Sequence, residues 1–288
     1  MSRLALGTVQ FGMDYGINNQ RGKVSREEVF AILDEAAAAG IDLLDTAYGY
    51  GESETVIGEY LRGKQRGFRI VSKLPKCRVE EAPNYLTETL LRLGQTSLYG
   101  YIFHDFDTFR SQPAIFDWFT EQKSSGKIAK IGFSLYYPAE LRYLLENRVE
   151  FDLIQFPYSI FDQQFASYLP VLKNQGVEVH VRSVFLQGLV FKKPAELTGN
   201  FIKIREKMEK LHSVSEHSGI SVLDLCLGYV VANSMIDKVI VGVDSLNNFI
   251  NLIDFQSNVS VAPSIYRELG LLREEDEEII LPFNWASN

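Results

Sequence analysis

The sequence contains only two cysteines, Cys77 and Cys226, among its 288 residues. Two cysteines cannot supply the disulfide framework of a small secreted protein, so we expect both thiols to be reduced. The first residues break their apolar run too early for a signal peptide, and no run approaches the roughly 18 uncharged apolar residues of a membrane helix. These absences predict a cytoplasmic protein with no membrane partner.

Clustered basic residues and clustered histidines are also missing. The net charge is -8 and the pI is about 5.2, and the chain has no basic patch to neutralise nucleic-acid phosphates. Of the four histidines, His212 and His217 lie five residues apart on a predicted helix. That spacing misses the four-residue interval that places two metal ligands on one helix face. The composition therefore argues against a nucleic-acid partner and against a bound metal.

What the sequence does contain is an alternation of short apolar runs with amphipathic stretches of helical length. The runs are rich in Ile, Val and Phe and predict strands at residues 4–6, 42–45, 69–73, 99–104, 128–133, 153–156, 177–181 and 239–241. The intervening stretches predict helices at 26–39, 54–62, 83–93, 113–124, 138–147, 165–174, 201–217, 222–233 and 247–252. Strands that alternate with helices form βαβ units and a parallel sheet.

Eight such units favour a closed (β/α)8 TIM barrel over an open doubly wound sheet. The open dinucleotide-binding sheet requires G-x-G-x-x-G after its first strand, whereas residues 7–16 read GTVQFGMDYG. The chain shows no linker and no low-complexity segment. We therefore expect an α/β protein of one domain, a (β/α)8 barrel over residues 1–288.

Active sites of such barrels lie at the C-terminal ends of the strands. Polar residues at these predicted ends are Asp45, Tyr50, Lys73, His104, Ser134, Gln155 and Arg182. Four of them suit one chemistry, because a carbonyl reductase must protonate the oxygen while the carbon receives a hydride. Tyr50 is a proton donor whose ordinary pKa near 10 is too high for efficient work, and an ammonium such as Lys73 lowers it. Asp45 holds Lys73 charged, and His104 orients the carbonyl oxygen.

The same residues carry a resemblance to a known family. The run at residues 45–54, DTAYGYGESE, closely resembles the aldo-keto reductase signature D-T-A-x-x-Y-G-x-S/N-E, with Asp45 and Tyr50 at its acid and tyrosine positions. Residues 71–73, 102–104, 131–134, 154–156 and 182–189 resemble the motifs of its third to seventh strands, in order. The resemblance implies a Tyr50, Lys73, Asp45 and His104 tetrad and a nicotinamide cofactor, NADP(H) or NAD(H), lying across the barrel mouth.

The resemblance also implies which residues contact that cofactor. Ser134 and Gln155 are expected near the nicotinamide carboxamide. The other expected contacts, with the nicotinamide ring, the phosphates and the adenosine, are Gly7, Thr8, Arg182, Ser183, Leu189, Gly242, Val243, Asp244, Ser245 and Asn248. The substrate is expected to be a small carbonyl compound or alcohol, either a sugar-like polyol or a simple aldehyde.

Three positions depart from the family pattern. Leu135 replaces the asparagine that usually follows Ser134, and Arg182 replaces the aromatic residue that stacks on the nicotinamide. A guanidinium also stacks on rings, and its charge favours the reduced, neutral cofactor. Asp244 replaces a basic residue near the adenosine 2′-phosphate, which weakens the usual preference for NADP(H) and leaves both cofactors open.

Two other functions remain compatible with a barrel of this kind. A non-catalytic partner protein could use the bound cofactor as a redox sensor, and the loss of a tetrad residue would have favoured it; none is lost. A barrel lyase or hydrolase could use Asp45 or His104 as a base, but that leaves Gln155 and Ser134 unexplained. The complete tetrad favours the reductase.

Overall fold

The strands of the protein form a closed, all-parallel barrel. A computed structural model describes residues 2–64, 67–255 and 261–285. The strands are β1 (Leu4–Gly7), β2 (Leu43–Asp45), β3 (Arg69–Leu74), β4 (Leu98–Phe103), β5 (Ile128–Ser134), β6 (Leu153–Pro157), β7 (Glu178–Arg182) and β8 (Lys238–Gly242). Each strand pairs with the next one in sequence, and β8 closes the barrel by pairing with β1. The predicted (β/α)8 fold is confirmed.

The helices surround this barrel. They are α1 (Val9–Gly12), α2 (Arg26–Ala38), α3 (Ser53–Leu61), α4 (Ala82–Leu93), α5 (Phe106–Ser111), α6 (Ala114–Ser124), α7 (Pro138–Glu146), α8 (Leu169–Asn174), α9 (Arg205–Ser218), α10 (Val222–Val231), α11 (Leu246–Asp254), α12 (Pro263–Gly270) and α13 (Glu277–Ile280). Among the described residues, none of these helices is long and apolar enough to span a membrane.

The interior of the barrel is divided into an apolar and a polar layer. Side chains alternate between the two faces of a strand, so every second residue points inward. An inward set of Ala5, Leu43, Val71, Ile102, Leu153 and Ile240 forms one buried apolar cluster. Two residues further along the strands, the inward positions hold Gly7, Asp45, Lys73, His104 and Gln155. The apolar layer therefore supports a polar floor at the C-terminal end of the barrel.

Several short elements escaped the sequence-based prediction. α1, α5 and α13 have four to six residues each, too few to show a helical period. α8 begins at Leu169 rather than at residue 165, because a 3₁₀ turn at Ala166–Tyr168 precedes it. α9 likewise begins at Arg205, after a 3₁₀ segment at Gly199–Ile204. The barrel itself does not depend on these differences.

Candidate active site

A cavity of about 480 Å³ lies over the polar floor of the barrel. Asp45, Tyr50 and His104 line it, and Lys73 lies buried directly beneath, with 1% of its surface exposed. Asp45 is the last residue of β2, and Lys73 is the last but one of the adjacent strand β3. His104 directly follows β4, which pairs with the other edge of β3. The structure therefore brings together all four residues of the predicted tetrad.

Lys73 and Asp45 form a buried ion pair. The Lys73 Nζ donates to Asp45 Oδ1 at 2.6 Å and to the Thr46 carbonyl oxygen at 2.8 Å. The second Asp45 oxygen accepts from Gln155 Nε2 at 2.7 Å. Burial lowers the pKa of the Lys73 ammonium, and the Asp45 carboxylate opposes that loss. A charged pair with its remaining groups bonded is the condition under which charges persist in a protein interior.

The Tyr50 side chain lies between this pair and His104. The Lys73 Nζ is 5.0 Å from the centroid of the Tyr50 ring, and the His104 ring packs edge-on at 5.7 Å. Burial and the Asp45 carboxylate raise the pKa of the Tyr50 hydroxyl, while the Arg182 guanidinium opposes the rise. The sequence-based expectation of a lowered pKa is therefore wrong for this arrangement, because burial and the carboxylate outweigh the nearby cations.

His104 is electrically neutral in this site. Burial lowers its pKa to about 3, and the positive charges of Lys73 and Arg182 act in the same direction. A neutral imidazole keeps one N–H donor and one acceptor nitrogen. His104 can therefore donate a hydrogen bond to a ligand oxygen without adding a further charge to the cavity.

The loop that carries Tyr50 is fixed by backbone contacts and hydroxyl groups. A Cβ on Gly12 would lie 1.7 Å from the Tyr50 carbonyl oxygen, so only glycine permits this crossing of two loops. The Ser53 hydroxyl donates to the Thr8 carbonyl oxygen at 2.9 Å. Glu54, the last residue of the signature, accepts from the Ser72 hydroxyl at 2.7 Å outside the barrel. Ser53 and Glu54 therefore position the strands that bear the tetrad.

Most residues expected to contact the cofactor lie on the cavity wall. These are Gly7, Thr8, Ser134, Arg182, Ser183, Gly242, Val243, Asp244 and Asn248. Three others lie behind that wall, which differs from the expected direct contact. Leu189 is fully buried in the core, Gln155 is bonded to Asp45, and the Ser245 hydroxyl caps α11 by accepting from the Asn248 backbone N–H at 3.1 Å.

Two loops meet over the cavity, and no pattern in the sequence predicts this contact. Residues 13–24, between α1 and α2, reach the loop that follows β7. There Gln187 Nε2 donates to the Tyr15 hydroxyl at 3.0 Å, and a Cβ on Gly188 would lie 2.7 Å from the Asn18 Cβ. Ser183 and Gln187 have left-handed backbones, with φ of 62° and 51°. Such strain is concentrated at functional sites.

The wall also carries features suited to a dinucleotide. Among the described residues, none forms a hydrogen bond with the buried Gln10 Oε1 atom, and Gln10 lines the cavity beside Gly242. A Cβ on Gly242 would lie 2.7 Å from Gln10 Oε1, so the glycine leaves room for this side chain at the strand end. A buried acceptor without a partner favours a ligand that brings a donor, and a ribose hydroxyl would supply one. Within residues 2–64, 67–255 and 261–285, no group of three His, Cys, Asp or Glu is placed to hold a metal.

Comparisons with known proteins point to one family. The model of the "Aldo/keto reductase family" matches residues 3–256. An uncharacterized oxidoreductase of Bacillus subtilis (strain 168) is 26% identical, over 94% of this chain and 91% of its own length. An "NADH-specific methylglyoxal reductase" of Escherichia coli (strain K12) is 29% identical, over 66% of this chain and 65% of its own.

Solved structures show the same fold. An aldo-keto reductase from Bacillus halodurans, in its holo form, superposes with a TM-score of 0.78 at 20% identity, covering 94% of this chain and 92% of its own. Because the family model spans nearly the whole sequence, the chain belongs to the aldo/keto reductase family.

Proposed function

We propose that the protein, as a single domain over residues 1–288, is a cytoplasmic NAD(P)(H)-dependent reductase of small carbonyl compounds. The observation that carries the proposal is the buried Lys73–Asp45 pair, with its 2.6 Å contact, beneath Tyr50 and beside neutral His104 in one cavity. A structural role alone gives no reason to place a charged pair against a phenol at the mouth of the barrel. Perturbed titratable groups that converge in a cleft indicate catalysis.

When bound, the nicotinamide cofactor supplies the hydride to the carbonyl carbon. The Tyr50 hydroxyl gives its proton to the carbonyl oxygen, so the product is an alcohol and Tyr50 becomes a phenolate. Lys73 and Arg182 stabilise that phenolate until it regains a proton from water. His104 donates a hydrogen bond to the carbonyl oxygen and holds it toward Tyr50. The raised pKa of Tyr50 keeps the donor protonated at neutral pH but makes it a weaker acid, so stabilisation of the phenolate by Lys73 and Arg182 is what makes the proton transfer efficient.

The cofactor would be held by residues of the cavity wall between Ser134 and Asp244. Ser134 would bind its carboxamide, and the Arg182 guanidinium would stack on its nicotinamide ring. Gly7 and Gly242 present backbone without side chains at this wall. Gln155 acts indirectly in this proposal, because it orients Asp45 from below.

The direct test is a cofactor titration followed by a panel of carbonyl substrates. Nicotinamide fluorescence is measured as enzyme is added, and oxidation of NADH and NADPH is then followed with aldehydes, ketones and sugars. Binding together with turnover supports the reductase. Tight binding without turnover on any carbonyl would instead support the cofactor-binding sensor.

Asp244 is expected to favour NAD(H) over NADP(H). Its Oδ1 accepts from Asn248 Nδ2 at 2.5 Å, so the carboxylate is held at the cavity rim. Arg21 reaches the Asp244 carbonyl oxygen at 3.4 Å, but Glu28 pairs with this guanidinium at 2.9 Å. The rim therefore repels a 2′-phosphate by roughly 1 kcal/mol or more. The Escherichia coli relative is likewise an NADH-specific reductase.

We therefore expect kcat/KM to be higher with NADH, and Asp244→Arg to raise the NADPH/NADH ratio of kcat/KM by at least about tenfold. Glu216→Arg on the exposed side of α9 makes the same change in charge away from the cavity and is the matched control. A wild type that prefers NADPH a hundredfold, with no response to Asp244→Arg, contradicts this role for the loop.

A further inference from the structure

Arg182 presents a positive charge to the cavity without a carboxylate partner. Its Nη2 donates to the Leu135 carbonyl oxygen at 3.1 Å, and its Nη1 makes a long contact of 3.5 Å with the Ser183 hydroxyl. The guanidinium lies 4.1 Å from the centroid of the Tyr136 ring. In the described part of the chain it takes part in no ion pair. A guanidinium has five N–H donors in one plane, so most of them remain for a ligand.

The charge lies at the catalytic end of the cavity. Arg182 ends β7 and is held against residues 135 and 136, which directly follow β5. The positive charge of Arg182 acts to lower the pKa of the Tyr50 hydroxyl, against the larger effect of burial, and also that of the His104 imidazole. The guanidinium is therefore close to the two groups that are proposed to contact the carbonyl oxygen. The opposite end of the cavity carries the negative charge of Asp244, because the neighbouring Glu28 is neutralised by its ion pair with Arg21.

Among the residues that the structure describes, no ion pair offsets this charge at the catalytic end. Lys73 and Asp45 neutralise each other at 2.6 Å, and His104 is neutral. Arg182 also acts to lower the pKa of the Asp162 carboxyl. However, Asp162 is fully buried, and its carboxyl accepts a hydrogen bond from the Gln164 backbone N–H. The region around the reacting carbonyl therefore has a net positive charge, supplied by a planar donor whose orientation is fixed by Leu135 and Tyr136.

A half-buried guanidinium without an ion-pair partner costs free energy, because part of its hydration is lost and no protein group replaces it. A ligand that forms hydrogen bonds with the guanidinium removes this cost. Planar guanidinium groups bind carboxylates and phosphates through paired N–H donors. We propose that the substrate is a carbonyl compound that carries an oxyanion, a carboxylate or a phosphate ester, bound by the in-plane N–H groups of Arg182. The proposal rests on the reductase function above and adds the substrate class. Ring stacking uses the face of the guanidinium, whereas anion binding uses its edge.

The test compares pairs of aldehydes that differ by an anionic group. Succinic semialdehyde is paired with butanal, and glyceraldehyde 3-phosphate with glyceraldehyde. We expect the wild type to prefer at least one anionic partner by about tenfold to hundredfold in kcat/KM, the range of a hydrogen bond to a charged group. The pair with the larger ratio identifies the oxyanion as carboxylate or phosphate. Arg182→Gln is expected to bring that ratio close to one.

Two further variants show whether the substrate preference depends on the positive charge alone, on the planar set of donors, or on the loss of any arginine from the protein. Arg182→Lys keeps the charge without the planar donors and is expected to retain only part of the preference. Arg267→Gln, on the exposed side of α12, is the matched control and leaves the ratio unchanged. If Arg182→Gln raises the Kd of NADH and leaves the substrate ratio unchanged, the anion that Arg182 binds belongs to the cofactor, and the proposal is overturned.

The outcomes also separate this inference from the proposed function. Reduction of neutral and anionic aldehydes with equal kcat/KM overturns the anionic substrate and leaves the reductase intact. If no carbonyl is reduced, calorimetry with NAD⁺ and 4-hydroxybutyrate or glycerol 3-phosphate decides. Binding that is lost in Arg182→Gln supports the anion site, and equal or absent binding in both proteins rejects it.

Discussion

Tyr50→Phe is expected to slow carbonyl reduction by about 10²–10⁴-fold, the usual contribution of a positioned general acid. The hydroxyl that is lost is the proposed proton donor above the Lys73–Asp45 pair. The structure assigns that hydroxyl no hydrogen bond to another described residue, so its removal leaves the folded state nearly unaffected. Cofactor binding, measured by nicotinamide fluorescence, is expected to survive together with the melting temperature.

Tyr48→Phe is the matched control for this change. Tyr48 lies in the same loop, but its hydroxyl donates to Glu88 at 2.6 Å on the outer surface. Its removal is expected to leave kcat within a few-fold of the wild type. A Tyr50→Phe enzyme with near-native kcat on a good substrate would show that another group protonates the oxygen.

Lys73→Met is expected to reduce turnover by at least about 10²-fold and to move the pH profile. Without the ammonium, Arg182 is left to oppose burial and Asp45, so the pKa of Tyr50 is expected to rise further. Alcohol oxidation needs the phenolate, and its activity rises with pH, so the acidic limb is expected to move to higher pH. Carbonyl reduction needs the protonated form, so its basic limb moves in the same direction. Kinetics in both directions, from mildly acidic to strongly basic buffers, measure these shifts.

The single variant also leaves Asp45 buried without its ion-pair partner, which costs about 3–5 kcal/mol of stability. The double variant Asp45→Asn/Lys73→Met removes both charges and is expected to recover much of the melting temperature. If the double variant folds and remains inactive, the loss of activity comes from the missing catalytic groups and not from a loss of stability. A folded Lys73→Met enzyme with an unchanged pH profile would place Lys73 outside the catalytic site.

The fold and the convergence of Asp45, Tyr50, Lys73 and His104 in one cavity are predictable because each has a local signal. Strands β1–β8 are short apolar runs, most of them with β-branched residues, and their predicted ends differ from the observed ones by at most one residue. Asp45, Lys73 and His104 stand at strand ends, where a parallel barrel brings side chains together regardless of what the loops do. Residue order along the chain was therefore enough to bring them into one site.

The remaining features depend on contacts between distant loops. Gln187 meets Tyr15, and Arg21 reaches Asp244, through loops whose paths no periodic pattern encodes. The sign of the pKa shift at Tyr50 was mispredicted for a related reason. The sequence shows that a lysine is near, but it does not show how deeply the phenol is buried or which oxygen of Asp45 faces it.

The pairing of Gly7 with Gly242 closes the barrel and has a consequence for how the protein acquires its activity. One wall of the cavity is built where β1 meets β8, two strands that are far apart in the sequence. Joining such distant segments is among the slowest and entropically most demanding events in folding. Chains truncated before β8 hold Asp45, Tyr50, Lys73 and His104 within residues 45–104 and still lack this wall. Binding of the proposed dinucleotide is therefore expected to report completion of the barrel, and such a ligand would stabilise the finished fold over every partial one.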